Sequence, residues 1–253
     1  MPNTKNRVRN YWISDEKKAL TKNAVLKLPP PERPLRIGTS GRLFSKTSEV
    51  LLARLWKQDL NEELLQQLYS AVLNADHVRS VSDIRGPHQM ITLGYWTERG
   101  HSNIHSTPQS QGDFAPTFIN QFRALWTHTA ARIQEEDPDY VANIRAKVPQ
   151  DLRLFGDLFS TLFINVTCGT KVHRDSKDYG YCVVIPLGEF SGGDLLLRAS
   201  EVRFILQPGD FLMFKSSQLY HEVTDFDGLR SSLVLTTHTH LLTIANNCHL
   251  NKL

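Results

Sequence analysis

Cysteine is scarce in this chain of 253 residues, and Cys168, Cys182 and Cys248 form no CxxC pair. An odd, scattered set of thiols argues against a disulfide framework and is typical of a reducing compartment. Long hydrophobic runs are also missing, since no stretch approaches the roughly 20 apolar residues that a membrane-spanning helix needs. The basic start of the chain lacks the apolar core of a secretory signal. These absences predict an intracellular globular protein with no membrane partner and no obligate protein partner.

Acidic residues are scarce at the beginning of the chain. Residues 1–48 contain eleven Lys and Arg but three Asp and Glu, a net charge of +8, and the other residues carry −5 of the total of +3. We therefore predict a basic, proline-containing N-terminal arm over residues 1–47, followed by a single domain over residues 48–253. Such an arm either contacts phosphates or is a solvated or targeting tail, and composition leaves both open.

Hydrophobic periodicity divides the predicted domain into a helical part and a strand-rich part. Helical spacing runs through residues 48–74, with Asn61 as a candidate N-cap, and returns in residues 114–136 and 138–147. Residues 90–96 resemble a strand, and strand patterns dominate after Pro149. Helices followed by short strands with turn signals predict an α+β fold.

We expect residues 48–148 to give helical support and residues 150–245 to form the core. Many short strands separated by turns favour a double-stranded β-helix, which is a relative of the jelly roll. The N-terminal helices would then pack outside this core and buttress one of its sheets.

Two histidines and an aspartate in the strand-rich part have the order of a metal site. His173 and Asp175 are two residues apart, and His221 follows after about forty-five residues of strands and turns. Residues i and i+2 of a strand point to the same face, so His173 and Asp175 can reach one ion. Two imidazoles and one carboxylate are the facial triad of non-haem Fe(II) oxygenases. Ligand type alone leaves Mn, Ni and Zn open.

An arginine nine residues beyond His221 favours an iron site that uses an oxo-acid as co-substrate. Arg230 opens a predicted strand, and its guanidinium is a fixed, charged fork for the distal carboxylate of 2-oxoglutarate. Ser232 is on the same face of that strand and is placed to donate a hydroxyl hydrogen bond to this carboxylate. Asn165, on the strand that enters the triad, either contacts 2-oxoglutarate or faces solvent. The residues thus predict a dioxygenase that uses Fe(II), 2-oxoglutarate and O2.

The chain from about residue 162 to residue 240 resembles the TET/JBP group of 2-oxoglutarate oxygenases, especially its small single-domain members from fungi and protists. The similar stretches are NVTCGTKVHRDSKDYGYCVVIPLG, FSGGDLLL, QPGDFLMFKSSQLYHEV and LRSSLVLTTH. The resemblance implies oxidation of the 5-methyl group of a pyrimidine in DNA. It makes His173, Asp175 and His221 the iron ligands and Arg230 the 2-oxoglutarate clamp. It also implies that His238 contacts the flipped base, although His240 competes for this role.

The function that we expect is oxidation of a methyl group on a modified nucleobase in DNA by an intracellular, nuclear enzyme. Among the possible bases, 5-methylcytosine is the one we favour. A base in duplex DNA must be flipped out to reach such a metal. Two alternatives stay open: the same chemistry on a small molecule or a protein side chain, and a non-catalytic DNA-binding protein of the same fold. Candidate phosphate contacts are Arg85, Arg99, Lys171, Arg174 and Lys177.

Overall fold

The computed structural model describes residues 8–14, 20–82, 88–97 and 104–242. The α-helices in these ranges are α1 Lys22–Lys27, α2 Glu62–Leu73, α3 Phe114–Gln121, α4 Arg123–Glu136 and α5 Pro138–Lys147. The first seven strands are β1 Arg9–Ile13, β2 Leu35–Ile37, β3 Gly41–Ser45, β4 Leu51–Trp56, β5 Ser80–Ser82, β6 His88–Thr97 and β7 Ile104–Ser106. The other strands are β8 Thr161–Val166, β9 Cys182–Gly192, β10 Leu195–Leu197, β11 Val202–Phe204, β12 Phe211–Phe214, β13 Glu222–Val223 and β14 Phe226–Thr236. Within these ranges, no helix has both the length and the apolar character that crossing a bilayer would require.

Two sheets form the centre of the fold. The described strands make a ten-stranded sheet in the order β1-β3-β4-β12-β9-β14-β8-β6-β5, with β7 paired to β6, and a four-stranded sheet in the order β13-β10-β11-β2. Successive residues of a strand point to opposite faces, so the large sheet buries two separate cores. This arrangement confirms the predicted α+β class and the double-stranded β-helix core.

The two cores lie on opposite faces of the large sheet. Val183, Ile185 and Leu187 of β9 share one core with the helical residues Leu68 and Trp126. On the other face, Cys182 and Val184 share the second core with residues of the small sheet, among them Leu195, Val202 and Phe204. The helices thus buttress one face, as predicted, and the second face lies between the sheets.

The predicted helix over residues 48–74 is correct only in its second half. Asn61 caps α2, and its side chain accepts a hydrogen bond from the Leu64 amide at 2.8 Å. Leu51–Trp56, however, is strand β4, paired to β3 and β12. This strand is buried on both faces, so it shows no alternation, and a short apolar run of this kind fits a helix or a strand.

The segment predicted as an N-terminal arm contributes to both sheets in the structure. Strand β1 pairs with β3 in parallel, and β2 pairs with β11 in parallel, Leu35 opposite Val202. Residues 9–13, 35–37 and 41–45 of the predicted arm are therefore strands of the two sheets. The pairing partners of β2 are far away in the sequence, so local composition gave no sign of them.

Candidate active site

The two histidines of the predicted triad lie directly opposite each other. His173 and His221 form an antiparallel bridge in which each amide donates to the other's carbonyl, at 2.9 and 2.8 Å. The Asp175 amide donates to the carbonyl of Ser216 at 3.2 Å. The prediction that His173 and Asp175 belong to one continuous strand is wrong, because β8 ends at Val166 and β9 begins at Cys182. Backbone pairing with the His221 segment provides the extended geometry instead.

The three side chains converge on one point. The Asp175 Oδ1 atom is 3.8 Å from His173 Nε2, and Oδ2 is 3.5 Å from His221 Nε2. One ligand atom from each residue lies within 4.8 Å of the others. All three side chains are largely buried but reachable, with exposures of 15%, 14% and 6% for His173, Asp175 and His221. The donor set and its spacing fit a non-haem Fe(II) ion.

Backbone carbonyls fix the orientation of both imidazoles. His173 Nδ1 is 2.7 Å from the carbonyl of Lys171, and His221 Nδ1 is 2.9 Å from the carbonyl of Leu219. A carbonyl only accepts, so each Nδ1 must carry the hydrogen. Each Nε2 then presents a lone pair toward Asp175, which is the tautomer that a metal requires.

Arg230 is buried next to this triad, and among the described residues no carboxylate is hydrogen-bonded to it, although the charge of Asp194 is close enough to oppose the effect of burial on its pKa. Its exposure is 1%, and its Nε and Nη2 atoms have no hydrogen-bond partner among the described residues. The guanidinium carbon lies 5.4 Å from the Phe190 ring and 5.9 Å from the Phe226 ring. Burial lowers the pKa of Arg230 to about 10, so the side chain still carries its charge at neutral pH. A buried, charged fork with unsatisfied donors is suited to a bound carboxylate.

One cavity joins the triad to Arg230. Asn165 and Ser232 also line it, opposite each other on β8 and β14, and the Asn165 amide donates to Ser232 Oγ at 3.4 Å. Their predicted contact with 2-oxoglutarate stays a prediction. The remaining lining residues are Cys168, Thr170, Cys182, Val184, Leu195, Phe214, Val223 and Val234. Cys168 and Thr170 follow β8 in a loop, and their residue types and spacing did not indicate a functional role.

A glycine turn makes room for Arg230. Gly193 has a φ of +65°, and a Cβ added there would lie 2.5 Å from Arg230 Cδ and 2.6 Å from its Nε. Only a residue without a side chain allows this approach at this backbone angle. The Gly-Gly-Asp sequence before β10 therefore serves the arginine directly.

His238 lies beyond the end of β14, outside the wall of this cavity as the described residues define it. It is 8% exposed and pairs with Asp178 in an antiparallel bridge. Its Nδ1 atom has no hydrogen-bond partner among the described residues. Burial and then the positive charge of Lys177 lower the pKa of His238 to about 4, so the ring is neutral at physiological pH. His240, the competing candidate for the base contact, lies in the helical segment of residues 239–242 and not on β14.

Asp178 was not predicted as a site residue. Its carboxylate accepts a hydrogen bond from Ser216 Oγ at 2.8 Å, and its exposure is 7%. In an antiparallel bridge, paired side chains point to the same face, so Asp178 and His238 are neighbours. Its position three residues after Asp175 was the only signal in the sequence.

The predicted phosphate contacts fall into two groups. The guanidinium of Arg174 stacks 5.1 Å from the Tyr220 ring, close to the triad. The backbones of Lys171 and Lys177 also belong to this region, through bonds to His173 and Thr239. Arg85 and Arg99 lie outside the described residues. Their predicted roles, in base or phosphate binding, stay predictions.

Two packed sheets, a His-Asp-His cluster and a buried unpaired arginine in one cavity define a 2-oxoglutarate- and Fe(II)-dependent dioxygenase. The family model for TET/JBP proteins, described as the oxygenase domain of the 2OGFeDO superfamily, matches residues 105–239, more than half of the chain. The chain therefore belongs to the TET/JBP family, whose cofactors are Fe(II) and 2-oxoglutarate.

Individual proteins show the same relationship. The thymine dioxygenase JBP1 of Trypanosoma brucei brucei is 37% identical over 103 residues, 40% of this chain and 12% of that protein. The bifunctional helicase and thymine dioxygenase JBP2 of Leishmania braziliensis is 30% identical over 148 residues, 53% of this chain and 13% of that protein. The chain thus spans about an eighth of the length of these relatives.

One solved structure matches nearly the whole fold. NgTET1, solved in complex with 5mC DNA, aligns over 94% of this chain and 96% of its own, with a TM-score of 0.70 and 14% identity. At this identity the match establishes the fold, including the N-terminal segment that the family model leaves out.

Proposed function

We propose that this protein oxidises the 5-methyl group of a modified pyrimidine in DNA, with 5-methylcytosine as its main substrate. The observation that carries the chemistry is the single cavity that contains both the triad and the unpaired Arg230. Structural charges are normally compensated within the protein, so packing alone does not explain this combination.

The residues have separate tasks in this proposal. His173, Asp175 and His221 would hold the iron, and Arg230 would receive the distal carboxylate of 2-oxoglutarate, aided by Ser232 and Asn165. When bound, iron and 2-oxoglutarate supply the oxidant that converts a methyl group to a hydroxymethyl group with O2. The protein positions these groups and excludes water, and the apolar residues Val184, Leu195 and Val234 contribute to that exclusion.

A nucleobase is the substrate class that the comparisons favour. The curated relatives are named thymine dioxygenases, and NgTET1 was solved with 5mC DNA. A base must leave the duplex to reach the metal, which costs a few kcal/mol of stacking and pairing. Lys171, Arg174 and Lys177 close to the triad support contact with the flanking phosphates. A DNA substrate would also place the enzyme inside the cell, in the nucleus.

Asp178 and His238 support cytosine over thymine. Both are buried and lie side by side at the end of β14. The exocyclic amine of cytosine donates to a carboxylate, whereas thymine presents a carbonyl at the same position. A neutral His238 can donate or accept a second hydrogen bond to the base. Thymine is the second candidate, favoured by the names of the curated relatives.

The direct test is incubation of the protein with Fe(II), 2-oxoglutarate and duplexes that contain 5-methylcytosine, thymine or unmodified cytosine. Mass spectrometry of the digested nucleosides should detect 5-hydroxymethylcytosine or a more oxidised product. Asp175→Ala protein is the matched control for metal-independent oxidation.

Three outcomes separate the alternatives. Oxidised thymine with intact 5-methylcytosine would reverse the choice of base. Succinate formation with unchanged nucleosides would favour a small molecule or a protein side chain as the substrate. Salt-sensitive DNA binding without any succinate would favour a non-catalytic DNA-binding protein.

A further inference from the structure

Helix α1 of the basic N-terminal segment packs against the back of the triad. Val25 is fully buried in a small core with Val172, Ala199 and Tyr220. Val172 directly precedes His173, and Tyr220 directly precedes His221. Adjacent side chains of extended backbone point to opposite faces, so Val172 and Tyr220 face α1 where the histidines face the metal. Through Val25, the N-terminal segment thus shares a small core with the residues that precede both histidines.

A second contact joins the end of α1 to the same segment. Arg198 donates to both oxygens of Glu222 at 2.7 and 2.6 Å, and it also donates to the Leu28 carbonyl at 3.1 Å. Glu222 directly follows His221. Both side chains of this pair are mostly buried, at 16% and 12% exposure. The bidentate pair therefore fixes the backbone after His221 and the chain leaving α1 in one geometry.

We propose that residues 20–28 form a brace that holds the two metal-binding imidazoles at the spacing required for iron. Val25 and Arg198 are positioning residues in this proposal, because they act through Val172, Tyr220 and Glu222. The brace rests on the proposed assignment of the triad as metal ligands. It also gives a role to the basic segment that composition singled out, and this role is independent of DNA.

The brace should be visible in metal affinity without any substrate. Mn(II) is the probe, and its free concentration is followed by electron paramagnetic resonance in the full-length protein. Val25→Ala leaves a cavity in the small core that Val25 shares with Val172 and Tyr220. It should weaken Mn(II) binding about threefold to tenfold, below the ~10–100-fold typical of direct hydrogen-bond partners. Val72→Ala is the matched control, because Val72 is also a fully buried helical valine but lies in the large core between the helices and the ten-stranded sheet.

A second variant tests the other contact. Arg198→Lys keeps the charge but removes the fork that joins Glu222 to Leu28, and it should weaken Mn(II) binding to a similar degree. This variant decides the question if Val25→Ala fails to fold. The proposal is overturned if Val25→Ala and Val72→Ala have the same Mn(II) affinity at a comparable loss of thermal stability. If Val25→Ala does not fold, wild-type Mn(II) affinity of Arg198→Lys overturns it.

Failure of the brace and failure of the triad assignment give different results. If the triad binds no metal, Asp175→Ala will bind Mn(II) as wild type does. If the triad binds metal and the brace is wrong, Asp175→Ala will lose binding while Val25→Ala and Arg198→Lys keep it.

Discussion

Among the residues that the structure describes, two arginines are almost completely buried, and their hydrogen-bond partners differ. Arg54 is 4% exposed, donates to Glu136 at 2.8 Å and to the Leu55 carbonyl at 2.7 Å, and shares Glu136 with Arg42. Arg230 is 1% exposed, and two of its nitrogens have no hydrogen-bond partner among the described residues. Both lie on strands of the same sheet, so the difference belongs to their environments and not to their secondary structure.

The comparison separates charges that hold the fold from the charge that we propose binds 2-oxoglutarate. Burial of an ion is costly unless a partner compensates it, and Arg54 has that partner within the protein. Burial by itself would raise the pKa of Glu136, but its hydrogen bonds from Arg42 and Arg54 lower it. Arg230 lies between aromatic rings, with the negative charge of Asp194 nearby but with no described residue accepting from its Nε or Nη2 atom, and the proposed carboxylate of 2-oxoglutarate would supply that acceptor. Other paired buried groups are Asp210 with Lys57, Asp59 with Arg132, and Asp194 with Arg203.

The largest effect should come from Asp175, the acidic residue in the wall of the cavity. If Arg230 has no partner within the protein, the Asp175 carboxylate must coordinate the metal and not neutralise Arg230. Asp175→Ala should therefore abolish metal-dependent succinate production, because the triad loses its anionic ligand. Asp175→Asn, which keeps the shape, is the control for packing. Near-normal succinate production by the alanine variant would remove the ligand assignment.

The two arginines should differ most clearly in stability. Arg54→Met leaves the buried Glu136 with one partner, and we expect a loss of about 3 kcal/mol in the free energy of unfolding. Arg230→Met replaces an uncompensated buried cation with an apolar side chain, and it should change this quantity by less than about 1 kcal/mol or increase it. Urea unfolding of both variants without ligand measures the two values. Equal losses would show that Arg230 has a compensating partner in the folded protein.

For 2-oxoglutarate binding the order of the two effects should be reversed, with the large effect at Arg230 and the small one at Arg54. Arg230→Ala removes the carboxylate fork, and the KM for 2-oxoglutarate should rise about a hundredfold, as for a lost partner of a buried charge pair. Mn(II) affinity should stay within about twofold, since no triad atom changes. Arg54→Met is the control and should keep the wild-type KM. An unchanged KM in Arg230→Ala would end the clamp assignment.

The chemistry of the site was easier to predict from the sequence than the path of the chain. His173, Asp175 and His221 were recognisable because metal ligands restrict residue type and order. The clamp role of Arg230 rests on the same kind of reasoning about carboxylate binding and stays a prediction. The Asn61 cap was visible because its side chain acts on an amide three residues away.

The features that were missed depend on contacts that are distant in sequence. Strand β4 has an apolar run that fits either secondary structure, and only its position between two cores decides. Strand β2 pairs with β11 about 165 residues later, so its strand character is invisible locally.

His238 is also a buried basic side chain, but it differs from the two arginines because an imidazole can lose its charge on burial. Burial, with Lys177, lowers the pKa of folded His238 to about 4, below the value of about 6.5 in an unfolded chain. Between these values the unfolded state binds more protons, so this residue stabilises the fold above pH 6.5 and the stability is lost as the pH falls toward 4. Between pH 6.5 and 5, wild type should lose about 2 kcal/mol more than His238→Gln does. Parallel losses in urea unfolding at the two pH values would contradict this account.

The smallest effect should come from the hydroxyl beside the clamp. Ser232 lines the cavity, and its neighbour Ser231 points to the opposite face of β14, where it is also buried. Ser232→Ala removes one hydrogen bond to the 2-oxoglutarate carboxylate, and the KM should rise about threefold to tenfold. Ser231→Ala is the matched control and should leave the KM unchanged. Because Arg230 alone supplies the charge, Ser232→Ala should keep most of the affinity for 2-oxoglutarate. An effect as large as that of Arg230→Ala would mean that the carboxylate binds to Asn165 and Ser232 instead.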